Sequence, residues 1–318
     1  MPRRNSSSQA GPSQRQLRVG EMLRHALSEI LRGKQIRDQR NLLGIEIRGN
    51  LQDHGDAFAI TIGQCLAGFG QPLQERRKFV AALKSAREAG KLQAAGLADP
   101  AWRDLLRALA ELDCLPQRYC ILEVSADLRA RQKMLLDREA PQIASRVVWL
   151  DAMPPTIDAL VIANEVLDAM PVHVVHARND GIDEVGVVAG SDGFTWQART
   201  AAGALLEAAQ QLPIVPGCTT EIGLAAAAFT STLATSIKRG AAIFIDYGFP
   251  AREYYHPQRS GGTLMCHYRH HAHSDPLCLI GLQDITTHVD FSAMADAAIA
   301  GGAEVIGYTG QAQFLINC

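Results

Sequence analysis

The sequence predicts an α/β fold built on a mainly parallel β-sheet with helices on both faces. Three observations lead there. From residue 118 onward, short apolar runs alternate with helical stretches, the order that builds a parallel sheet with crossover helices. The runs RYCILEV, DALVIAN and AAIFIDYG are apolar along nearly their whole length, as expected of strands covered on both sides. Hydrophobic residues make up 47% of the 318, enough for the core of one large domain or two smaller ones.

The elements follow in order. Residues 1–16, MPRRNSSSQAGPSQRQ, are basic and Ser-rich without an apolar h-region; a disordered tail is expected rather than a secretory signal. Residues 17–33 carry Leu17, Met22, Leu23, Ala26, Leu27, Ile30 and Leu31 at helical spacing, with Gly33 as a stop. The stretch around 43–65 holds short β-like pieces, LLGIEIRG and AFAITIG, about the turn LQDHGD. Residues 78–93 are strongly charged and helical in pattern, and 102–113 form an amphipathic helix started by Asp99-Pro100. RYCILEV (118–124) is a strand, ADLRARQKMLLDREAP a helix, and SRVVWLD (145–151) and DALVIAN (158–164) are strands. VHVVHA and a hairpin through EVGVVAGSDGFTWQA come next, then a helix over 219–237, the strand AAIFIDYG (241–248), a helix over 290–300 and a last strand, AEVIGY.

Composition excludes several classes. The formal net charge of -2 gives no strong nucleic-acid signal and no general attraction to an acidic membrane. No apolar run reaches the roughly 18 residues of a membrane span. The seven cysteines are odd in number and form no CxxC pair, so they read as reduced thiols of an intracellular, cytoplasmic protein.

Open parallel sheets bind ligands at the carboxyl ends of their strands. Here the successive strands end in Glu123 and Ser125, in Trp149 and Asp151, in Asn164, Glu165 and Asp168, and in Asp246 and Tyr247. One polar strand end is the usual place for a helix cap; four in succession point to a site. A carboxylate such as Glu123 can accept hydrogen bonds from ribose hydroxyls. Asp151, near Trp149, can hold the exocyclic amine of an adenine. These residues alone do not separate a nicotinamide cofactor from S-adenosylmethionine, although the G-x-G-x-x-G turn of nicotinamide enzymes is absent.

GTLMCHYRHHAHSDP is dense in Cys266, His267, His270, His271 and His273. An extended run sends neighbouring side chains to opposite sides, so no metal site is expected. The segment reads instead as a loop closing over the site, with Tyr268 and Arg269 toward ligand or substrate. Asp284, Thr286, His288 and Asp290 lie beside it in sequence, and His288 is either a proton acceptor or a hydrogen-bonded structural histidine.

LEVSADLRARQ, VIANEVLDAMPVHVV, DYGFPAREYYHPQRSGGTLMCHYRHHAHSDP and GLQDITTHVDFSAMADAA, in that order, together resemble the MidA/DUF185 family over residues 102–318. These are class I S-adenosylmethionine-dependent methyltransferases, related to the mitochondrial complex I assembly factor that methylates a protein arginine. The resemblance implies a Rossmann-like, class I methyltransferase-like sheet, S-adenosyl-L-methionine as cofactor and a protein substrate. It implies cytoplasmic location, mitochondrial in eukaryotic relatives, and leaves a homodimer open. By resemblance Glu123 binds the ribose, with Ser125, Trp149, Asp151 and Asn164 around the cofactor. By resemblance Asn164 and Glu165 line the catalytic mouth; Asp168 and His288 are further catalytic candidates, and Asp246, Tyr247, Tyr268, Arg269 and Asp284 are the candidates for the substrate side. A guanidinium acceptor would be oriented by the Glu165 carboxylate through a charge-assisted fork, with Asn164 accepting from a nitrogen proton.

The sequence departs from that family before residue 102. The expected first strand with a glycine-rich turn of the type E-x-G-x-G-x-G is missing or altered: Gly90 and Gly96 are present at the wrong spacing. AFAITIG (57–63) is the best candidate for a substitute strand, and without one, weak cofactor binding is expected. Residues 15–38 are similar to the first helix of ribosome-binding factor A, a small KH-like protein. The chain therefore divides into a tail (1–16), an atypical N-terminal region (17–100) and a methyltransferase-like domain (101–318). The rival functions are a non-catalytic assembly or binding factor and a ribosome-maturation factor led by the N-terminal helix; the net charge weighs against the latter.

Overall fold

The structure is a computed structural model. It describes residues 44–48 and 57–64 as backbone strands, residue 116, and residues 118–310 apart from 192, 269 and 270. The tail expected over 1–16 and the helices expected over 17–33, 78–93 and 102–113 lie outside the described residues, as does Arg269.

The main sheet is assembled from both ends of the chain. Its strands are β1 (Gly44–Arg48), β2 (Ala57–Gln64), β3 (Tyr119–Leu122), β4 (Val147–Leu150), β5 (Ile157–Asn164), β10 (Ile237–Phe249), β14 (Val289–Asp290) and β15 (Glu304–Gly310). They lie in the order β15-β2-β10-β5-β1-β3-β4, with β14 paired to β10. Pairings along β4-β3-β1-β5-β10 are parallel. Only β2 runs against its neighbours, antiparallel to both β10 and β15.

This order corrects the expectation of a missing first strand. Residues 44–48 occupy the place between β3 and β5. AFAITIG, the expected substitute, lies elsewhere, between β10 and β15. Periodicity marked both pieces as strands but carries no information about which distant strand each one pairs with. Both pieces come from the 17–100 stretch and share one sheet with strands of 101–318.

Strand β5 is buried at nearly every position, which suits its apolar sequence IDALVIAN at mid-sheet. On β3, Tyr119 and Ile121 pack with Leu136, Ala140 and Ile143 of the helices α1 (Ala126–Glu139) and α2 (Pro141–Ala144). The alternate residues Cys120 and Leu122 pack with the other cluster, which holds Leu233, Ala234, Met294 and Ala298. Successive strand residues point to opposite faces, so helices cover both sides. The second layer consists of α4 (Leu224–Ser236) and α6 (Phe291–Ala300). Their small residues let them approach closely: a Cβ on Gly301 would meet the Ser231 carbonyl.

Between β5 and α4 the chain builds a separate antiparallel sheet. It comprises β6 (His173–Ala177), β7 (Ile182–Gly190), β8 (Gly193–Thr200) and β9 (Thr219–Ile222), in the order β8-β7-β6-β9. Helix α3 (Gly203–Gln210) covers it through Leu205 and Ala209 on Val175 and Ile222. The helix expected over 219–237 is thus shorter. Its first four residues, TTEI, are β-branched or paired to β6, and Gly223 separates them from α4. After β10 come the short helix α5 (Ala251–Tyr254) and a three-stranded sheet of β11 (Met265–Tyr268), β12 (His271–His273) and β13 (Asp284–Thr286).

Candidate active site

The register of the main sheet lines up its carboxyl edge. Leu150, Leu122, Ile47, Ala163 and Phe244 form one paired row across β4, β3, β1, β5 and β10. Each strand's next residue forms the row beyond: Asp151, Glu123, Arg48, Asn164 and Ile245, with Arg48 and Ile245 paired to Asn164. Asp246 comes one step later on β10. Glu123, Asp151 and Asn164 therefore stand at one edge of one sheet. Glu123 and Asn164 are two strand spacings apart, roughly 10 Å.

At the β3 end, Glu123 is 7% exposed. Its Oε1 accepts from the Ser125 backbone N–H (2.9 Å) and its Oε2 from Gln132 Nε2 (3.1 Å). Ser125 caps α1, its hydroxyl accepting from Leu128 N at 3.3 Å. The Trp149 indole N–H donates to Gln132 Oε1 at 2.9 Å. Asp151 is exposed and pairs with Arg129 at 2.7 Å, while Arg129 also donates to the Leu150 carbonyl. A carboxylate has about four lone-pair positions, so Glu123 retains acceptor capacity for a ligand.

At the β5 end, Asn164, Glu165, Asp168 and Asp246 are all buried. Asp246 holds the turn together. Its carboxylate accepts from the backbone N–H groups of Leu167 (2.9 Å), Asp168 (3.3 Å) and Tyr247 (2.9 Å). Burial, then the Asp168 and Glu165 carboxylates, push the Asp246 carboxyl well above its ordinary pKa, against the backbone bonds. Glu165 takes a left-handed backbone, φ 48, and its N–H donates to the Ile245 carbonyl at 2.8 Å. A non-glycine residue held there stores strain, a frequent property of functional turns. Asn164 Oδ1 is buried without a hydrogen-bond partner, and buried acceptors ordinarily have one.

The residues of the C-terminal motifs reach this edge from a second direction. Gly248 and Phe249 pair with Val289 and Asp290, which brings His288 against the Phe249 ring at 5.1 Å between centroids. The Thr287 N–H donates to the Asp168 carbonyl at 3.0 Å. The Arg259 guanidinium carbon lies 4.0 Å from the centroid of the same Phe249 ring. Tyr247 is buried beside Asp246. Tyr268 and Asp284 sit instead on the three-stranded sheet, whose register pairs Asp284 with His267. In that sheet Cys266 faces His273 across β11 and β12; burial raises the Cys266 thiol to about 11. Among the described residues no three or more metal-ligating side chains gather at one point.

Several residues that shape the site were not singled out by sequence reasoning. Gln132 is 3% exposed inside α1; its spacing of four from buried Leu136 is the signal that places it on the sheet-facing side. Glu221 is 2% exposed and accepts from Thr263 N, Leu264 N, the Thr263 hydroxyl and the Tyr254 hydroxyl. It fixes the GGTL turn, whose Thr263 hydroxyl in turn accepts from His288 N at 3.1 Å. Reading 219–237 as one helix hid this carboxylate.

Residues 101–309 match a family model described as "Putative S-adenosyl-L-methionine-dependent methyltransferase". An uncharacterized protein from Burkholderia thailandensis, solved as a crystal structure, is similar with a TM-score of 0.70 and 36% identity, over 95% of this chain and 67% of that one. A member of the same superfamily from that organism, described as a "likely methyl transferase" and bound to S-adenosyl-homocysteine, gives 0.68 and 36%, over 94% and 65%. Ribosome-binding factor A from two strains of Caulobacter vibrioides is 66% identical over 29 residues, 9% of this chain and 20% of that protein's length. Among the described residues no helix is long and apolar enough to cross a membrane.

Proposed function

This chain belongs to the S-adenosyl-L-methionine-dependent methyltransferase family matched over residues 101–309, and on that premise we propose that it transfers a methyl group from S-adenosyl-L-methionine to an arginine side chain of a protein. The observation that carries the reading is the single edge on which Glu123, Asp151 and Asn164 converge, with Asn164 Oδ1 buried and unpartnered among them. The bound cofactor supplies an electrophilic methyl carbon on a sulfonium; everything else is the work of the chain's own groups.

Glu123 accepts from the ribose hydroxyls and Asp151 reaches the adenine amine from its exposed position. Asn164 Oδ1 accepts an N–H of the bound molecules, removing the cost of its own unpaired burial. Glu165, aimed by its left-handed backbone, orients a guanidinium by charge-assisted hydrogen bonds. Asp168 and its neighbours add negative potential that favours a cationic acceptor. Asp246 is the positioning residue for this turn: its oxygens are occupied by three backbone N–H groups. His288, steadied by Phe249 and Thr263, takes the proton that the acceptor nitrogen loses in this reading.

Titration calorimetry with S-adenosyl-L-homocysteine tests the cofactor half of this reading; micromolar affinity is expected, since β1 fills the gap whose vacancy predicted weak binding. Labelled methyl donor with candidate partner proteins, read by mass spectrometry, tests the acceptor half; binding without transfer to any arginine favours the non-catalytic binding factor. A second reading rests on the 29-residue likeness to ribosome-binding factor A: the N-terminal helix delivers the chain to small ribosomal subunits. Co-sedimentation of the full chain with those subunits, lost on deleting residues 15–38, is its test.

A further inference from the structure

We infer that Trp149 and Gln132 form a positioning relay that turns Glu123 into an acceptor selective for an unmodified ribose diol. The inference rests on the cofactor site of the preceding section and assigns its specificity. An indole nitrogen only donates, so the 2.9 Å contact from Trp149 Nε1 fixes Gln132 Oε1 as the acceptor. The Gln132 amide then has one orientation left. Its Nε2 faces Glu123 Oε2 at 3.1 Å and donates there. The amide flip that is ordinarily a matter of assignment is settled here by chemistry. Ser125 N–H donates to the other oxygen at 2.9 Å. Donors therefore approach both Glu123 oxygens from the protein side, and what remains toward the cleft is lone pairs only.

A group facing those lone pairs must donate. Adjacent hydroxyls do; a 2′-phosphate presents oxygens and is repelled, and a deoxy sugar leaves an acceptor empty. The relay is buried where it matters, with Gln132 at 3% and Glu123 at 7% exposure, so water cannot substitute freely for a lost partner. Trp149 lies next to the α1–β3 cluster of Tyr119, Leu136 and Ile143, which ties the relay's first donor to the core. Trp149 thus acts through Gln132 as a positioning residue on the cofactor side of the site.

The test is calorimetric titration of the full chain with S-adenosyl-L-homocysteine and with its 2′-deoxy analogue, alongside the unfolding temperature. Wild type is expected to bind the deoxy form about three- to tenfold more weakly, the worth of one hydrogen bond. Trp149→Phe keeps the ring and removes the donor; Gln132→Glu keeps the shape and sets acceptor against acceptor. Both are expected to weaken the parent ligand and to shrink the gap between the two ligands. A purely structural role would lower both affinities alike and leave the ratio intact, which overturns the relay. Equal binding of the two ligands by wild type also overturns it, without reference to any variant. No binding of either ligand by wild type overturns the methyltransferase reading and the relay together.

Discussion

Asp246 is a carboxyl group closed in among backbone N–H groups and two other acids, and that environment has a consequence in solution. Its folded pKa lies well above the ordinary value of 3.8. The folded chain holds this proton more tightly than the unfolded chain does, so its contribution to stability is present below 3.8 and is lost as pH rises through the folded value. Asp290, raised by burial, has the same sign. Thermal unfolding followed upward from pH 3.8 should show wild type losing more stability than Asp246→Asn as pH rises, because the variant carries no titrating proton at that position. Beside it, Glu165 is a buried carboxyl on a left-handed backbone. Glu165→Gln preserves size and removes the charge; kcat/KM for an arginine acceptor should fall about 10- to 100-fold, the worth of a charge-assisted bond. Affinity for S-adenosyl-L-homocysteine should stay within about twofold, since the proposed role of this carboxylate is to orient the acceptor and not to hold the nucleoside. Glu123 and Asn164 could be recognised in the sequence because each ends an apolar run. Gln132 was signalled only by its spacing of four from Leu136, a weak mark because a glutamine inside a charged helix ordinarily faces water.

At the level of elements, two glycines place the C-terminal motifs. Gly262 has φ +78, and a Cβ there would collide with the Glu221 carboxylate. Gly262→Ala should cost about 2–4 kcal/mol, combining left-handed strain with overpacking, measured by denaturant unfolding. Gly248 lets β14 come close to β10, since a Cβ would strike the Val289 carbonyl. Gly248→Ala should push β14 outward and carry His288 with it, lowering methyl transfer more than it lowers the unfolding temperature. The elements that were readable beforehand are those whose own residues decide them. β3 and β4 are apolar throughout, β5 and β10 carry the apolar runs ALVIA and AAIFI, and α1 begins at a serine cap. Strands β11 to β14 have two to four residues each, and tertiary pairing rather than periodicity makes them strands. β9 was masked because its threonines run straight into an alanine-rich helix.

For the whole molecule, the decisive feature is where the N-terminal strands go. β1 joins two halves of the sheet that have no pairing with each other across its place, and β2 does the same between β10 and β15. A chain reduced to residues 101–318 would present four long unpaired edges. It should elute as aggregate on size exclusion and lack a cooperative thermal transition, whereas the full chain gives one. Sequence pattern could find these two strands but not their neighbours, because pairing across such separations leaves no local trace.

That arrangement also bears on how the protein is made. The ribosome releases β1 and β2 long before the strands that flank them, and β15 emerges after all the others. The earliest apolar ribbons must therefore wait, uncovered, for partners not yet translated. Closure of the sheet has to follow emergence of β15 and proceeds through widely separated contacts, which fold slowly. The nascent N-terminal third is the segment for which a holding chaperone matters most.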